Sequence, residues 1–243
     1  MKTVILAAAA MLAAGSIALA AGDKPPALPS IPYQMADDIW QCVNGVDKSK
    51  LEVHLGFSST NRALHPADIY LTIQTATKGA ITVPLDTNGE VIDFPHTEAL
   101  RRENPTVTVN QPAGSLNFTV WCHMPLPEDL TFPYRRLADG VAETRGVIEK
   151  TADKIARPRY IGWGNYAGWL FSPKLKVPGV IFEFPNSNGR RATLEIRTVT
   201  GTKTFRADAG GKIKLKLDKS LLSENPEVKI SEKPRGLYPD VRF

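Results

Sequence analysis

Apolar and polar residues alternate along most of the chain after residue 30, and this period-two pattern is typical of half-buried β-strands. Two stretches instead carry apolar residues at helical spacing, one after Tyr33 and a longer one after Tyr134. The pattern predicts two amphipathic helices and short helical turns at residues 97–102 and 220–223. It also predicts strands at residues 51–57, 69–74, 81–85, 91–94, 106–109, 115–122, 180–184, 192–198, 203–207, 212–217 and 227–230.

The chain contains an internal repeat. Three segments of the first half return in the same order in the second half, with spacings that change by only a residue or two. The Pro-Tyr pairs that open the two helices, at Tyr33 and Tyr134, match as well. The matching segments are Leu71–Thr75 with Leu194–Thr198, Leu85–Val91 with Ala207–Ile213, and Glu103–Val109 with Glu224–Ile230.

The repeat predicts an α+β fold of two tandem homologous units, each a helix packed on a mainly antiparallel sheet of about five strands. We place the first unit at residues 30–123, a linker at residues 124–130 and the second unit at residues 131–243. The second unit carries an aromatic insert at residues 157–172 that has no counterpart in the first. Tandem copies share what the fold requires, so we expect function to lie where they differ.

The N-terminus has the composition of a secretory signal peptide. Lys2 precedes a short apolar run, and Ala18-Leu19-Ala20 provides a small-residue cleavage site. We predict cleavage after residue 20, a Pro-rich lead at residues 21–29, and a periplasmic or secreted protein. An uncleaved membrane anchor is the alternative. No later run is apolar and long enough to cross a bilayer, so we expect no transmembrane segment after cleavage.

The chain has two cysteines, Cys42 and Cys122. Because export removes the reducing pool and the count is even, we predict a disulfide between them. Such a bridge would close almost the whole first unit into one loop and, on the chain-entropy model, stabilise it by about 4 kcal/mol. The alternative is a nucleophilic Cys122 paired with His123, which is disfavoured because adjacent strand residues point to opposite faces.

Charge is divided unevenly between the halves. Residues 21–130 contain 13 acidic and 7 basic side chains, whereas residues 131–243 contain 12 acidic and 22 basic ones. The asymmetry favours either mutual attraction of the halves or contact between the basic second unit and an anionic envelope component or glycan. Nucleic acid is disfavoured, because the chain is exported and has no motif that reads bases.

The insert of the second unit supplies the candidate ligand-binding residues. Tyr160, Trp163, Tyr166 and Trp169 lie in a glycine-rich segment, where exposed rings would stack on sugar rings or on apolar ligands. The alternative is that the two tryptophans fill a gap between helix and sheet or between the units.

The sequence offers little that is typical of catalysis. Four histidines, His54, His65, His96 and His123, all lie in the first unit at none of the compact spacings of a metal site, although neighbouring strands could bring some of them together. The Asp86–Glu90 segment lacks the later acidic ligands of a calcium loop and is predicted to be a turn. Hydrolase and phosphate-loop motifs are absent. We predict no metal, no cofactor and no catalytic residue.

Several short motifs extend across most of the chain after the signal peptide. They include the opening Pro-Tyr helix, Pro84-Leu-Asp86, Asn104-Pro105-x-Val107, Trp169–Pro173 and Val180–Phe184. In these motifs the chain resembles a group of exported proteins of Gram-negative bacteria that form a family of unknown function. The resemblance implies an envelope compartment and supplies no catalytic residues.

These features together favour a non-enzymatic binding or envelope-associated protein, with its ligand at the junction of the two units or near the insert. The alternative is a periplasmic hydrolase with a site assembled at the junction, in which His54, His65 or His96 takes part.

Overall fold

A computed structural model describes residues 6–8, 30–59, 61, 63–112, 115–155, 176–185 and 191–242. Within these ranges the chain forms fourteen strands and four α-helices. The strand pairs whose registers are defined run antiparallel. The fold class predicted from the sequence, α+β with mainly antiparallel sheets, is confirmed.

The elements up to residue 123 form two sheets and two helices. A four-stranded sheet has the order β2-β6-β4-β5, and a three-stranded sheet has the order β1-β7-β3, in which β1 lies within the predicted signal peptide. The elements are β1 (Leu6–Ala8), β2 (Ser30–Pro32), α1 (Tyr33–Asn44), β3 (Glu52–Ser59), β4 (Tyr70–Thr75), β5 (Gly79–Pro84), α2 (Glu98–Glu103), β6 (Thr106–Val109) and β7 (Leu116–His123).

The elements after residue 123 have the same kinds of sheet. A four-stranded sheet has the order β8-β13-β10-β11, which repeats the order of the first four-stranded sheet, and a three-stranded sheet has the order β12-β9-β14. The elements are β8 (Thr131–Pro133), α3 (Arg135–Ile155), β9 (Gly179–Glu183), β10 (Thr193–Thr198), β11 (Gly201–Arg206), β12 (Lys212–Lys216), α4 (Lys219–Glu224), β13 (Glu227–Ile230) and β14 (Gly236–Pro239).

By their internal contacts the residues group into two compact units. The first unit comprises the described residues within 1–45, 53–121 and 149–171, and the second comprises those within 46–52, 122–148 and 172–243. The core of the first unit contains Tyr33, Ile69 and Ile73, none of which is exposed. Tyr33 also stacks on Phe94, with 5.5 Å between the ring centroids.

The expectation of one sheet of about five strands in each unit is wrong, because the strands divide between a four-stranded and a three-stranded sheet. The reason lies in the turn after β5. Asp86 accepts the backbone N–H groups of Asn88 and Glu90, and Gly89 closes the turn with a positive φ of 82°. Gly89 then accepts the N–H of Phe57 on β3, so the turn passes the chain from one sheet to the other.

Helices α2 and α4 are capped in the same way. Thr97 and Asp218 accept backbone N–H groups at the two N-termini, and Asn104 and Asn225 end the helices with φ values of 49° and 50°. Each asparagine also accepts the N–H of the residue that follows Tyr33 or Tyr134, at 2.9 and 2.8 Å. These matched caps align the two helices residue by residue.

The predicted Cys42–Cys122 disulfide is wrong, since both cysteines are free thiols. Cys42 is buried on α1, and Cys122 is half-buried on β7. An even cysteine count in an exported chain does not bring two β-carbons within the roughly 4 Å that a disulfide requires. The parity of the cysteine count therefore does not by itself establish a bridge.

Candidate binding site

One face of the sheet β2-β6-β4-β5 carries no charged side chain. Side chains alternate across a strand, and Leu71, Ile73 and Val107 fill the buried face of this sheet. Cross-strand register places Thr82, Thr72, Thr108 and Ser30 in one row on the opposite face. We call this opposite surface the neutral face, and its residues are Ser30, Pro32, Tyr70, Thr72, Gln74, Ala80, Thr82, Pro84, Thr106 and Thr108.

The matched surface of the sheet β8-β13-β10-β11 is charged at half of its ten positions. Glu195 and Lys229 are paired in register there, as Thr72 and Thr108 are on the neutral face. Charged residues make up 23% of the chain, so ten positions without one are unusual for a surface. The ten matched residues are Thr131, Pro133, Thr193, Glu195, Arg197, Thr202, Thr204, Arg206, Glu227 and Lys229.

A groove of about 450 Å³ adjoins the neutral face and shares Thr82 and Pro84 with it. Two large apolar side chains are exposed in this region: Ile92 in the groove, at 63%, and Tyr70 on the face, at 40%. Tyr70 lies directly opposite Pro84 in the strand register, so the two surfaces are continuous. The full lining is Thr82, Val83, Pro84, Leu85, Asp86, Ile92, Asp93 and Pro95.

A cluster of charged side chains adjoins the groove and includes His96, the residue that follows Pro95 of the groove lining. His96 Nδ1 is 2.8 Å from Asp37 Oδ1, and Arg101 donates to Asp37 and, at 3.0 Å, to Asp38. Asp37 and Asp38 are 0% and 1% exposed. Hydrogen bonding to Asp37 raises the pKa of the Arg101 guanidinium. Buried carboxylates are costly unless they are paired, so Arg101 is what permits two of them side by side.

The matched positions in the second half of the chain carry apolar residues in place of two members of this cluster. Counted from the matched caps Thr97 and Asp218, the position of His96 is occupied by Leu217, and that of Arg101 by Leu222. Helix α4 thus forms with leucines at the two positions that carry His96 and Arg101 beside and on α2. A carboxylate only accepts, so Nδ1 of His96 carries the proton it shares with Asp37, and Nε2 is left to accept or donate at the surface. The His96 side chain is 46% exposed.

Tyr33 connects this cluster to the segment that lines the groove. Its hydroxyl donates to the carbonyl of Pro95 at 2.5 Å. Burial is the main cause that raises the pKa of Tyr33, and the nearby Asp37 raises it further. The hydroxyl thus remains a donor and fixes the backbone between the groove and His96.

Two other histidines pair with carboxylates. His54 Nδ1 lies 2.9 Å from Glu90 Oε2, and its ring stacks on Trp121 at a centroid distance of 5.6 Å. His123 Nε2 lies 2.6 Å from Glu52 Oε2. His65 precedes the 3-10 turn Pro66–Asp68, and its side chain does not cap that turn. Sequence spacing could not identify these pairs, because the partners lie far apart in the chain.

Cys122 is unsuited to act as a nucleophile. Burial raises the pKa of its thiol to about 12, whereas the thiolate is the reactive form. The alternative interpretation of Cys122 as a nucleophile beside His123 is therefore not supported.

The residues predicted to bind ligand, Tyr160, Trp163, Tyr166 and Trp169, lie outside the described residues. So do the predicted cleavage site at residue 20 and the Pro-rich lead at residues 21–29. In the part of the chain that is described, no helix is long and apolar enough to cross a membrane. No family model, no curated protein and no solved structure matches the chain.

Proposed function

We propose that this protein is an exported, non-enzymatic binding protein of the cell envelope, and that the neutral face and the adjoining groove form its binding site. The observation that carries the proposal is the difference between the two matched faces. Charges occupy half of the positions on one face and none on the other. The fold accepts charges at these positions, so we attribute their absence from the neutral face to a ligand.

The groove supports the same conclusion. Its volume of about 450 Å³ falls within the range of about 300 to 1,000 Å³ that is usual for ligand sites. Exposed apolar side chains at Tyr70 and Ile92 are suited to partial desolvation by a bound molecule. A site that combines apolar contacts with a few polar groups is the common pattern of ligand recognition.

We propose that the two halves are tandem homologous units that arose by duplication, and that one of them was adapted for binding. The identical order of the four-stranded sheets and the matched asparagine caps support this history.

The basic second half supports an additional role at the envelope. On β12, Ile213 and Leu215 are buried while Lys214 and Lys216 are exposed. We propose that such lysines attract the protein to an anionic envelope component, which would concentrate it near the ligand. This attraction would weaken as salt is added.

The test transfers charges from one face to the other. The double substitution Thr72→Glu with Thr108→Lys places on the neutral face the cross-strand pair that Glu195 and Lys229 form on the matched face. Mature protein is screened by thermal shift against envelope glycans, peptides and metal ions, with a chelator control. We expect the wild type to be stabilised by a ligand and the double variant to fold equally well and lose that response.

The matched control is Glu195→Thr with Lys229→Thr, which makes the other face more neutral. This variant should keep the wild-type ligand response. The proposal is wrong if the Thr72→Glu, Thr108→Lys variant responds to the ligand as strongly as the wild type does.

One observation favours an enzyme as the second candidate. The Asp37–His96 pair, with a buried carboxylate on Nδ1 and a partly exposed imidazole, is the arrangement of a general base. A hydrolase would turn over one of the screened glycans or peptides, and His96→Ala would abolish the turnover. If no ligand is consumed by the wild type, the binding function stands.

A further inference from the structure

We infer that the neutral face binds an uncharged polysaccharide. This inference rests on the proposed function and names the chemical class of its ligand. The ten residues that define the face all lie between residues 30 and 108, in sequence positions distinct from the aromatic insert and the basic half of the chain.

The polar groups of the face match the hydroxyl groups of sugars. Thr72, Thr82 and Thr106 each offer a hydroxyl that can donate one hydrogen bond and accept two, and Gln74 offers an amide that does both. The Thr108 hydroxyl donates to the carbonyl of Thr72 at 3.5 Å and offers its oxygen as an acceptor. Sugar hydroxyls have the same dual character. A lysine or glutamate at such positions would only donate or only accept, and it would lose hydration when a neutral ligand covered it.

The geometry of the face favours a chain over a small molecule. Neighbouring strands lie about 4.8 Å apart, so the row of Thr82, Thr72 and Thr108 presents hydroxyl groups at regular intervals across three strands. Gln74 and Thr106 form a second row beside it. A repeating ligand can satisfy repeated groups, whereas a single sugar would reach only one part of the array.

An apolar pair lies beside the Thr72 row, on the side away from Gln74. Tyr70 is 40% exposed and is paired in register with Pro84, which also lines the groove that contains Ile92. Aromatic rings stack on the apolar face of a sugar ring. We therefore place one sugar over Tyr70, with its neighbours extending across the threonine rows.

Charge argues against an anionic ligand at this surface. The face contributes no positive charge, and the groove beside it contains the carboxylates of Asp86 and Asp93. An acidic glycan or a lipid phosphate would be repelled rather than neutralised. An extended peptide could add to the edge strand β5, but Pro84 has no backbone N–H to pair with it.

The experiment compares three classes of probe by isothermal titration calorimetry. The neutral probes are oligosaccharides and soluble polysaccharides of hexose and N-acetylhexosamine, the acidic probes are uronic-acid oligosaccharides of matched length, and the third class is a set of unstructured peptides. We expect binding to one or more neutral chains, with affinity that increases with chain length. Tyr70→Ala and Thr72→Glu with Thr108→Lys should each weaken that binding at least tenfold.

Each other result has a defined meaning. Binding of acidic sugars or peptides alone, weakened by the charged double variant, overturns the neutral polysaccharide and leaves the proposed binding site intact. Neutral-sugar binding that is unaffected by both variants places the ligand elsewhere, and it overturns both. No binding by any probe also overturns the inference.

Folding of the variants is controlled by their melting temperatures. Glu195→Thr with Lys229→Thr serves as the matched variant, and its sugar affinity should equal that of the wild type. Tyr70→Ala removes an exposed side chain, so its loss of binding cannot be ascribed to a collapsed core if its melting temperature is unchanged.

Discussion

At the scale of single residues, Arg101 is the side chain that two buried carboxylates of the first unit depend on for neutralisation. Its guanidinium compensates two carboxylates that are almost completely removed from water. Removing one partner of a buried ion pair leaves the other uncompensated, which typically costs about 3 to 5 kcal/mol. A neighbouring arginine, Arg102, is exposed on the same helix and provides a direct comparison.

Arg101→Leu, which copies Leu222 at the matched position of α4, should lower the free energy of unfolding by about 3 kcal/mol. The physical reason is that Asp37 and Asp38 remain buried without a cation. Urea denaturation followed by circular dichroism measures the change. Arg102→Leu should change stability by less than about 0.5 kcal/mol, and equal stability of the two variants would contradict the assigned role.

The thiols provide a second test at this scale. Denatured mature protein should contain two free thiols per chain, because Cys42 and Cys122 are unbonded. In folded protein at pH 8, Cys122 should react slowly with a thiol reagent, since its pKa is raised to about 12 by burial. Titration with a chromogenic disulfide gives both values, and a reduced sample is the control. Zero thiols in the unreduced, denatured sample would restore the disulfide.

At the scale of elements, the left-handed asparagines determine where the short helices end. Asn104 and Asn225 combine a positive φ with a side-chain bond to the start of α1 or α3. Alanine has a β-carbon that is strained at a positive φ, and it cannot form the side-chain hydrogen bond that the asparagine makes. Glycine avoids the strain and loses only the bond.

Asn104→Ala should therefore destabilise the protein by about 2 kcal/mol, and Asn104→Gly by about 1 kcal/mol less than that. The same order should hold for Asn225, because its φ differs by only 1°. Thermal unfolding of the four variants measures the effect. An alanine variant more stable than the glycine variant at either position would show that the backbone geometry is not what costs energy.

The sequence predicts the positions of the strands and short helices well, but it predicts poorly which strands are neighbours in a sheet. Period-two alternation identifies which residues of β4 and β10 point inward, and the Asn-Pro pairs correctly mark the ends of α2 and α4. Alternation does not identify the neighbouring strand. The sequence predicts a strand at residues 91–94, but the structure has only an isolated bridge between Leu85 and Val91 there. Each half also has two sheets where the sequence predicts one.

At the scale of the whole molecule, buried acidic hydroxyl and thiol groups determine the response to alkali. Burial raises the pKa values of Tyr33, Tyr134 and Tyr238 above the ordinary 10.0, and that of Cys122 above 9.0. Because the folded protein holds these protons more tightly than the unfolded chain does, their contribution to stability is complete below about pH 9. It is lost as the pH rises through the folded-state values.

Equilibrium unfolding between pH 7 and pH 11 should consequently show a plateau up to about pH 9 and then a steady fall in the free energy of unfolding. Cys122→Ser removes one titrating group and should shift the start of the fall towards pH 10. Stability that rises between pH 9 and pH 11 would contradict the burial of these groups.

The candidate site was hidden in the sequence for a related reason. The uncharged polar positions Thr72, Gln74, Thr106 and Thr108 are visible in the alternating strands, but only the register unites them into one surface. A signal was nevertheless present, since the repeat aligns Thr72 with Glu195. The matching segments therefore differ in charge at positions that the register places on one face.

The neutrality of β5 has a consequence for solubility. This strand ends its sheet and consists of Gly, Ala, Ile, Thr, Val and Pro, whereas β11, the matching end strand, carries Lys203 and Arg206. End strands without charge are templates on which further chains can assemble. The first half therefore has an uncharged edge strand that other chains can pair with, and Pro84, which lacks a backbone N–H, is its main protection against such pairing. A ligand that covers the adjoining face would also reduce self-association of the protein.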